Sequence, residues 1–122
     1  MKDVVFTERE LDVMAVLWDH CSATVADVRE RLTDELAYTT VLTILRTLED
    51  KGYVGHRPEG RAYRYHPLVA REEAQVSHLN RLTQKLFSGS TERLLTHLVA
   101  ERGMSEEELE RLRALLNQRL EE

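Results

Sequence analysis

The chain has 122 residues, enough for one small domain with a modest apolar core, or for such a domain with an appendage. It carries 17 basic and 22 acidic residues and a formal net charge of -5, which excludes a polycation that binds nucleic acid through bulk charge. The sequence has no long apolar run and no charged-then-apolar N-terminus, so we expect a cytoplasmic protein without membrane insertion.

The first two helices are predicted by their capping residues. Thr7 and Glu10 have the spacing of a capping box, in which hydroxyl and carboxylate each accept a hydrogen bond from a free backbone amide. We expect the first helix to span about residues 8 to 19 and to bury one apolar face. Thr24 begins a second, shorter helix that ends near Leu32, followed by a polar turn.

The third predicted helix separates apolar and hydroxyl side chains onto opposite faces. Its buried stripe recurs at helical spacing and consists of Val41, Ile44, Leu45 and Leu48. Threonine is a mediocre helix former, so helix propensity does not explain four threonines within nine positions. Hydroxyl, methyl and guanidinium groups suit a helix in a DNA major groove. The residues predicted to read base edges are Thr39, Thr40, Thr43, Arg46 and Thr47.

Two strands follow this helix, which we expect to end near Lys51 with Gly52 as its terminator. They are predicted over residues 53 to 57 and 62 to 66, with a turn at residues 58 to 61 that contains proline and glycine. A hairpin after a helix-turn-helix is a wing. Residues 36 to 67 hold five basic and three acidic side chains, a local balance of 5 minus 3, or +2. The residues predicted to contact the sugar-phosphate backbone are Tyr38, Arg57, Arg61 and Arg64. Alternatively, these arginines only form a solvated edge that prevents aggregation.

From about residue 70 the sequence predicts three amphipathic helices, the last beginning with a capping box at Ser105 and Glu108. These helices expose more apolar surface than they can bury among themselves, and a second copy of the chain is the simplest partner. The residues predicted to form the dimer interface are Leu79, Leu82, Leu86, Leu95, Leu98, Leu109, Leu112, Leu116 and Leu120.

The predicted fold class is therefore mainly α: an α+β winged helix-turn-helix domain at residues 1 to 68 and an all-α dimerisation domain at residues 69 to 122. A two-fold dimer presents two reading helices about one DNA turn apart, or a multiple of that, which predicts a palindromic operator on double-stranded DNA.

Catalytic and metal-binding motifs are missing from the sequence. The single cysteine, Cys21, has no partner for a disulfide or a CxxC site, and the five histidines lack ligand spacing. We therefore predict that the protein is not an enzyme and needs neither a metal nor another cofactor. Two other classes stay open: a winged-helix regulator that holds a small molecule between its domains, and an adaptor that docks a protein through the same helix.

Four segments of the chain resemble one known family over nearly its whole length. They are Glu10 to Trp18, Thr24 to Val28, Ala37 to Leu48 with Lys51-Gly52-Tyr53-Val54, and Gly60 to Pro67. Together these segments are similar to the penicillinase-repressor and methicillin-resistance-repressor family (BlaI/MecI). The resemblance implies a homodimeric repressor whose winged helix occupies a palindromic operator and whose C-terminal helices dimerise.

The same resemblance implies a membrane-bound zinc metallopeptidase as the sensor that ends repression by cutting the C-terminal part. Staphylococcal-type members are cut at an Asn-Phe pair, and the matching place here reads His97-Leu98, which departs from that pattern. Copper-responsive relatives carry a C-terminal cysteine cluster. Residues 68 to 122 contain no cysteine, which excludes copper sensing by that route.

Overall fold

The computed structural model describes residues 3–122, and the chain forms a mainly helical protein with one small antiparallel sheet, as the sequence predicts. The helices of this described part are α1 (Glu8–His20), α2 (Val25–Arg31), α3 (Tyr38–Asp50), α4 (Arg71–Leu86), α5 (Thr91–Glu101) and α6 (Glu106–Leu120). Its strands are β1 (Ala23–Thr24), β2 (Val54–Glu59) and β3 (Ala62–Pro67). The chain divides into two compact units, Met1–Leu79 and Asn80–Glu122.

Capping boxes form at the starts of α1, α2 and α6, two of them predicted as such and the third at Thr24, which was predicted to begin α2. At α1 the backbone amide of Thr7 donates to Glu10 Oε1 over 2.8 Å, and the amide of Glu10 donates to Thr7 Oγ1 over 3.1 Å. The same reciprocal bonds join Thr24 with Asp27 and Ser105 with Glu108. Each box satisfies amides that the first helical turn leaves free, so these helix starts are confirmed where the sequence placed them.

The core of the first unit lies between α1, α2, α3 and the sheet. On α3, the side chains of Val41, Leu45 and Leu48 are fully buried, whereas Ile44 is only half-buried at the edge of the same stripe. Because these residues fix the rotation of α3 about its axis, the threonines on its far side are turned toward solvent.

The sheet has the order β1-β3-β2, with both pairs antiparallel. The short strand β1 was not predicted. The predicted turn at residues 58 to 61 is wrong in its first half, because Pro58 and Glu59 continue β2 and pair with Tyr63 and Ala62. β2 is an edge strand, where proline removes no bond that the ladder requires. The turn itself is confined to residues 60 and 61, and Gly60 adopts the positive φ of 62° that it needs.

The first core continues past residue 68, where the sequence placed the domain boundary. Val69 and Ala74 are buried in it, and the indole N–H of Trp18 donates to the Val69 carbonyl over 2.9 Å. The N-terminal segment also bonds to α4, because the amide of Val4 donates to Ser77 Oγ over 3.1 Å. The start of α4 is therefore part of the first compact unit, and a purely dimerising role for residues 69 to 122 stays a prediction.

In the second unit, α5 begins at an N-cap, Ser90, whose hydroxyl accepts from the amide of Arg93, and α6 begins at the capping box of Ser105. The ring of Phe87 lies edge-on to that of His97, with 5.4 Å between their centroids. Within the described part of this unit, Leu94 is the single apolar side chain that is buried. The remaining leucines of α5 and α6 are exposed or half-buried.

Candidate nucleic-acid interface

The outward face of α3 carries all five residues that the sequence predicts to read bases, and all five are exposed. Two of the threonines have the same intrahelical geometry. The Thr43 hydroxyl donates to the Thr39 carbonyl over 2.9 Å, and the Thr47 hydroxyl donates to the Thr43 carbonyl over 2.9 Å. These bonds restrain both side chains, because each hydroxyl is held against the preceding turn of the helix. The structure thus brings the predicted residues together on one surface, and their contact with bases stays a prediction.

Arg46 projects from the middle of this face. Within residues 3–122 its guanidinium has no hydrogen-bond or ion-pair partner, so its donors are available to a ligand. Guanidinium groups bind guanine O6 and N7 through two parallel hydrogen bonds.

The start of α3 is open as well, which the sequence analysis missed. Its N-cap is Ala37, which has no side chain that could accept a hydrogen bond from the first amides of the helix. The free N–H groups and the positive end of the helix dipole together favour an anion such as phosphate. The signal was available in the sequence, because the residue immediately before Tyr38 is an alanine rather than a serine, threonine, aspartate or asparagine. Tyr38, predicted to contact the DNA backbone, is 45% exposed in this first turn.

The wing formed by β2 and β3 carries the three predicted arginines, but they fall into two groups. Arg57 and Arg61 are exposed and have no ion pair with any described residue. Arg64 is instead bound twice by Glu59, with both N–O distances 2.8 Å. This bidentate contact lowers the pKa of the Glu59 carboxyl and raises that of the Arg64 guanidinium. The guanidinium of Arg64 is therefore occupied by Glu59, whereas those of Arg57 and Arg61 are available to bind a ligand.

An ion pair and a hydrogen bond connect the end of α3 to its neighbours. Lys51 donates to Glu10 Oε2 over 2.8 Å, and His56 Nδ1 lies 2.6 Å from Glu49 Oε2. Burial raises the pKa of Glu10, but the hydrogen bonds from Lys51 and Thr7 outweigh it, so this pKa lies below its usual value. These contacts anchor α3 to α1 on one side and to the wing on the other.

Of the five basic side chains between residues 36 and 67, Lys51 and Arg64 are thus neutralised by neighbours, and the positive charge of the exposed face comes from Arg46, Arg57 and Arg61. No helix of the described residues is long and apolar enough to span a bilayer. A helix with an exposed hydroxyl face, an uncapped N-terminus and an adjacent cationic wing has the components of a DNA-reading surface.

A model of the penicillinase repressor family matches residues 6–118. The chain belongs to this family. It is 38% identical to the transcriptional regulator BlaI of Mycobacterium tuberculosis over 101 residues, which cover 80% of this chain and 73% of that protein. It is 22% identical to the methicillin resistance regulatory protein MecI of Staphylococcus aureus over 120 residues, which cover 97% of this chain and 98% of that protein.

One solved structure adds a nucleic-acid complex to the comparison. The monomeric form of Bacillus licheniformis BlaI in complex with the blaP half-operator aligns with a TM-score of 0.51 and 32% identity, covering 59% of this chain and 90% of that one. The penicillinase repressor family thus accounts for the predicted winged-helix fold, and its named relatives are repressors and regulators of transcription rather than enzymes.

Proposed function

We propose that the protein is a homodimeric transcriptional repressor that binds a palindromic operator through α3 and the wing. The observation that carries this proposal is the exposed face of α3. Its threonines and Arg46, which has no ion pair within the described part of the chain, lie opposite the buried side chains of Val41, Leu45 and Leu48. The half-operator complex of the related BlaI supports it. A dimer bound at a promoter represses by excluding the polymerase.

Within this proposal the two parts of the surface have different tasks. Base edges in the major groove are read by Thr39, Thr40, Thr43, Arg46 and Thr47. Arg57 and Arg61 on the wing, with Tyr38 and the free amides at the start of α3, hold the sugar-phosphate backbone and set the register. Binding affinity then falls with salt, by about 0.9 in log–log slope for every phosphate neutralised.

Dimerisation is proposed for the apolar faces of α4, α5 and α6. Eight of the nine predicted interface leucines are exposed in the single chain, and Leu112 is half-buried. Leu86, Leu116 and Leu120 expose more than half of their surface. Exposed leucine side chains cost free energy in water and are covered when two copies associate. Operator binding and dimerisation are then thermodynamically linked.

The decisive experiment selects duplexes from a random pool with the full-length protein. The proposal predicts that the selected sequences share an inverted repeat, and that sedimentation detects dimers at micromolar concentration. A stable monomer that enriches no sequence contradicts it. The second measurement is the affinity for unselected random duplex DNA at low and moderate salt. A protein adaptor should show neither affinity for this DNA nor a dependence of binding on salt.

Derepression by a membrane-bound zinc metallopeptidase stays a prediction of the family resemblance. The peptide bond at the matching place, His97-Leu98, lies in α5, and both side chains are exposed. Incubation of the repressor with the membrane fraction of its host, followed by mass spectrometry, tests whether this bond is cut.

A further inference from the structure

Arg64 occupies the middle of the sheet, on the central strand β3. In the register of the sheet it lies opposite Thr24 of β1 on one side and Arg57 of β2 on the other. Two arginines directly opposite each other on antiparallel strands repel. A carboxylate beside them is therefore needed, and Glu59, two residues further along β2 on the same face, supplies it.

The guanidinium of Arg64 contacts three groups from different parts of the first unit. Its Nε and Nη2 donate to the two oxygens of Glu59, each over 2.8 Å. Its Nη1 donates to Ser22 Oγ over 3.4 Å, and its Nη2 lies 3.7 Å from Asp27 Oδ2. Asp27 is itself fixed, because it closes the capping box at the start of α2. Arg64 thus joins the tip of the wing to the N-terminus of a core helix.

This arrangement is unsuited to phosphate binding. Two carboxylates surround the guanidinium, and their negative charge repels the DNA backbone. The side chain is only 23% exposed, whereas the neighbouring Arg57 and Arg61 are exposed and unpaired within the described residues. A phosphate would have to displace Glu59 from both of its hydrogen bonds before it could contact Arg64.

We propose that Arg64 is a positioning residue, which fixes the wing on α2 so that Arg57 and Arg61 meet the DNA backbone, and that it does not itself bind phosphate. This role replaces the phosphate contact that the sequence predicted for Arg64, and it rests on the proposed function. The planar fork of arginine is required, because a lysine ammonium carries the charge but cannot hold both oxygens of Glu59 at once.

The Glu59→Gln variant distinguishes a phosphate-binding Arg64 from a positioning Arg64, because the two roles predict opposite changes in operator affinity. A phosphate-binding Arg64 would be released by this substitution, and operator affinity would rise. A positioning Arg64 loses its anchor, and the dissociation constant for the duplex selected by the unmodified protein increases about two- to fivefold, the factor by which an exposed ion pair typically shifts an equilibrium. The matched control is Asp50→Asn, which removes from α3 an exposed carboxylate with no ion pair among residues 3–122 and is expected to tighten binding.

Arg64→Lys gives the second measurement. Lysine cannot perform the positioning role of Arg64, so Arg64→Lys should bind DNA as weakly as Arg64→Gln. The double variant Arg64→Gln/Glu59→Gln should bind no more weakly than either single variant. Full retention of affinity by Arg64→Lys, or tighter binding by Glu59→Gln, overturns the proposal. Thermal unfolding midpoints confirm that each variant is folded.

Nuclear magnetic resonance tests the anchor without any DNA. In the free protein the Nε–H signal of Arg64 is expected to exchange slowly with water and to broaden in Glu59→Gln, while the signal of Arg61 stays unchanged. If the unmodified protein binds no duplex, the proposed function fails, and this signal still reports on the anchor. If the protein binds DNA but the Arg64 signal is the same in the unmodified protein and in Glu59→Gln, the positioning role is wrong.

Discussion

Arg46 and Arg61 allow the proposed division between base reading and backbone contact to be measured. Both side chains are exposed, and among the described residues neither makes a hydrogen bond or an ion pair that replacement by alanine would remove. We therefore expect unfolding free energies within about 0.5 kcal/mol of the unmodified protein, as for typical surface substitutions. Any larger change in DNA binding then reports on the interface itself.

Both variants should lose DNA affinity, but the loss should depend on the DNA sequence in Arg46→Ala and not in Arg61→Ala. Arg46→Ala removes a bidentate contact to one base, which costs about 1–3 kcal/mol per half-site, or roughly 5- to 150-fold in affinity, and relaxes preference at that one position. Arg61→Ala removes a phosphate contact, which weakens all sequences alike and lowers the log–log salt slope by about one per half-site. The ratio of selected to random affinity thus falls for Arg46→Ala and stays constant for Arg61→Ala.

Fluorescence anisotropy measures both quantities. Each variant is titrated against the selected duplex, the same duplex with one base pair changed, and a random duplex, at several potassium chloride concentrations. If both substitutions gave the same sequence-independent loss with the same salt slope, the assignment of Arg46 to bases and Arg61 to phosphates would be wrong.

Three further predictions concern the threonine face, the dimer and acid stability. Thr43→Val keeps the shape and the methyl group but removes the hydroxyl, so selection with this variant should change the preferred base at one position, while loss of the intrahelical bond lowers the unfolding free energy by no more than about 0.5–1.5 kcal/mol. Leu116→Glu places a charge on the exposed apolar face of α6, and sedimentation should detect monomers at micromolar concentration with weakened operator binding. The pKa of Glu10 is lowered in the folded protein. The carboxylate therefore stabilises the fold above the ordinary carboxyl pKa, and this contribution is lost as pH falls through the lowered pKa. Glu10→Gln should accordingly reduce the slope of the unfolding midpoint against pH in the acid range.

Each of these has a matched control or a contradicting result. Thr96 makes the same intrahelical bond in α5, to the Glu92 carbonyl, so Thr96→Val should leave base preference unchanged. Asn117→Glu adds the same charge to α6 at a polar position and should leave the dimer intact. An unaltered acid slope in Glu10→Gln would show that the ionised Glu10 carboxylate, with its contacts to Lys51 and Thr7, does not stabilise the fold.

Features that depend on neighbours in the sequence were predictable. The capping boxes at Thr7, Thr24 and Ser105 use residues three apart, and each begins a helix as expected. The apolar spacing of α3 fixed which face is buried, and the five proposed base-reading residues are accordingly exposed. Gly52 terminates α3 with a φ of 83°, a conformation that glycine adopts without strain.

Features that depend on distant residues were not predictable. The strand β1 has only two residues, and it exists because Ala23 and Thr24 pair with β3 about forty positions further along the chain. Pro58 falls in the predicted turn because proline favours turns, whereas its place in β2 depends on the order of the sheet, which makes β2 an edge strand. The hydrogen bonds and ion pairs of Arg64 could not be predicted for the same reason. Two of its three partners, Ser22 and Asp27, lie about forty residues earlier in the chain.

The bonds that Thr43 and Thr47 make to backbone carbonyls have a chemical consequence for the operator. With their hydrogens directed into the helix, both side chains offer a groove only lone pairs and a methyl group, which complement the amino groups of adenine and cytosine and the methyl of thymine. Turning either hydroxyl toward a guanine acceptor first breaks an intrahelical bond worth about 0.5–1.5 kcal/mol. In the proposed contact with DNA, the acceptors of guanine are therefore met by Arg46, whose guanidinium carries only donors.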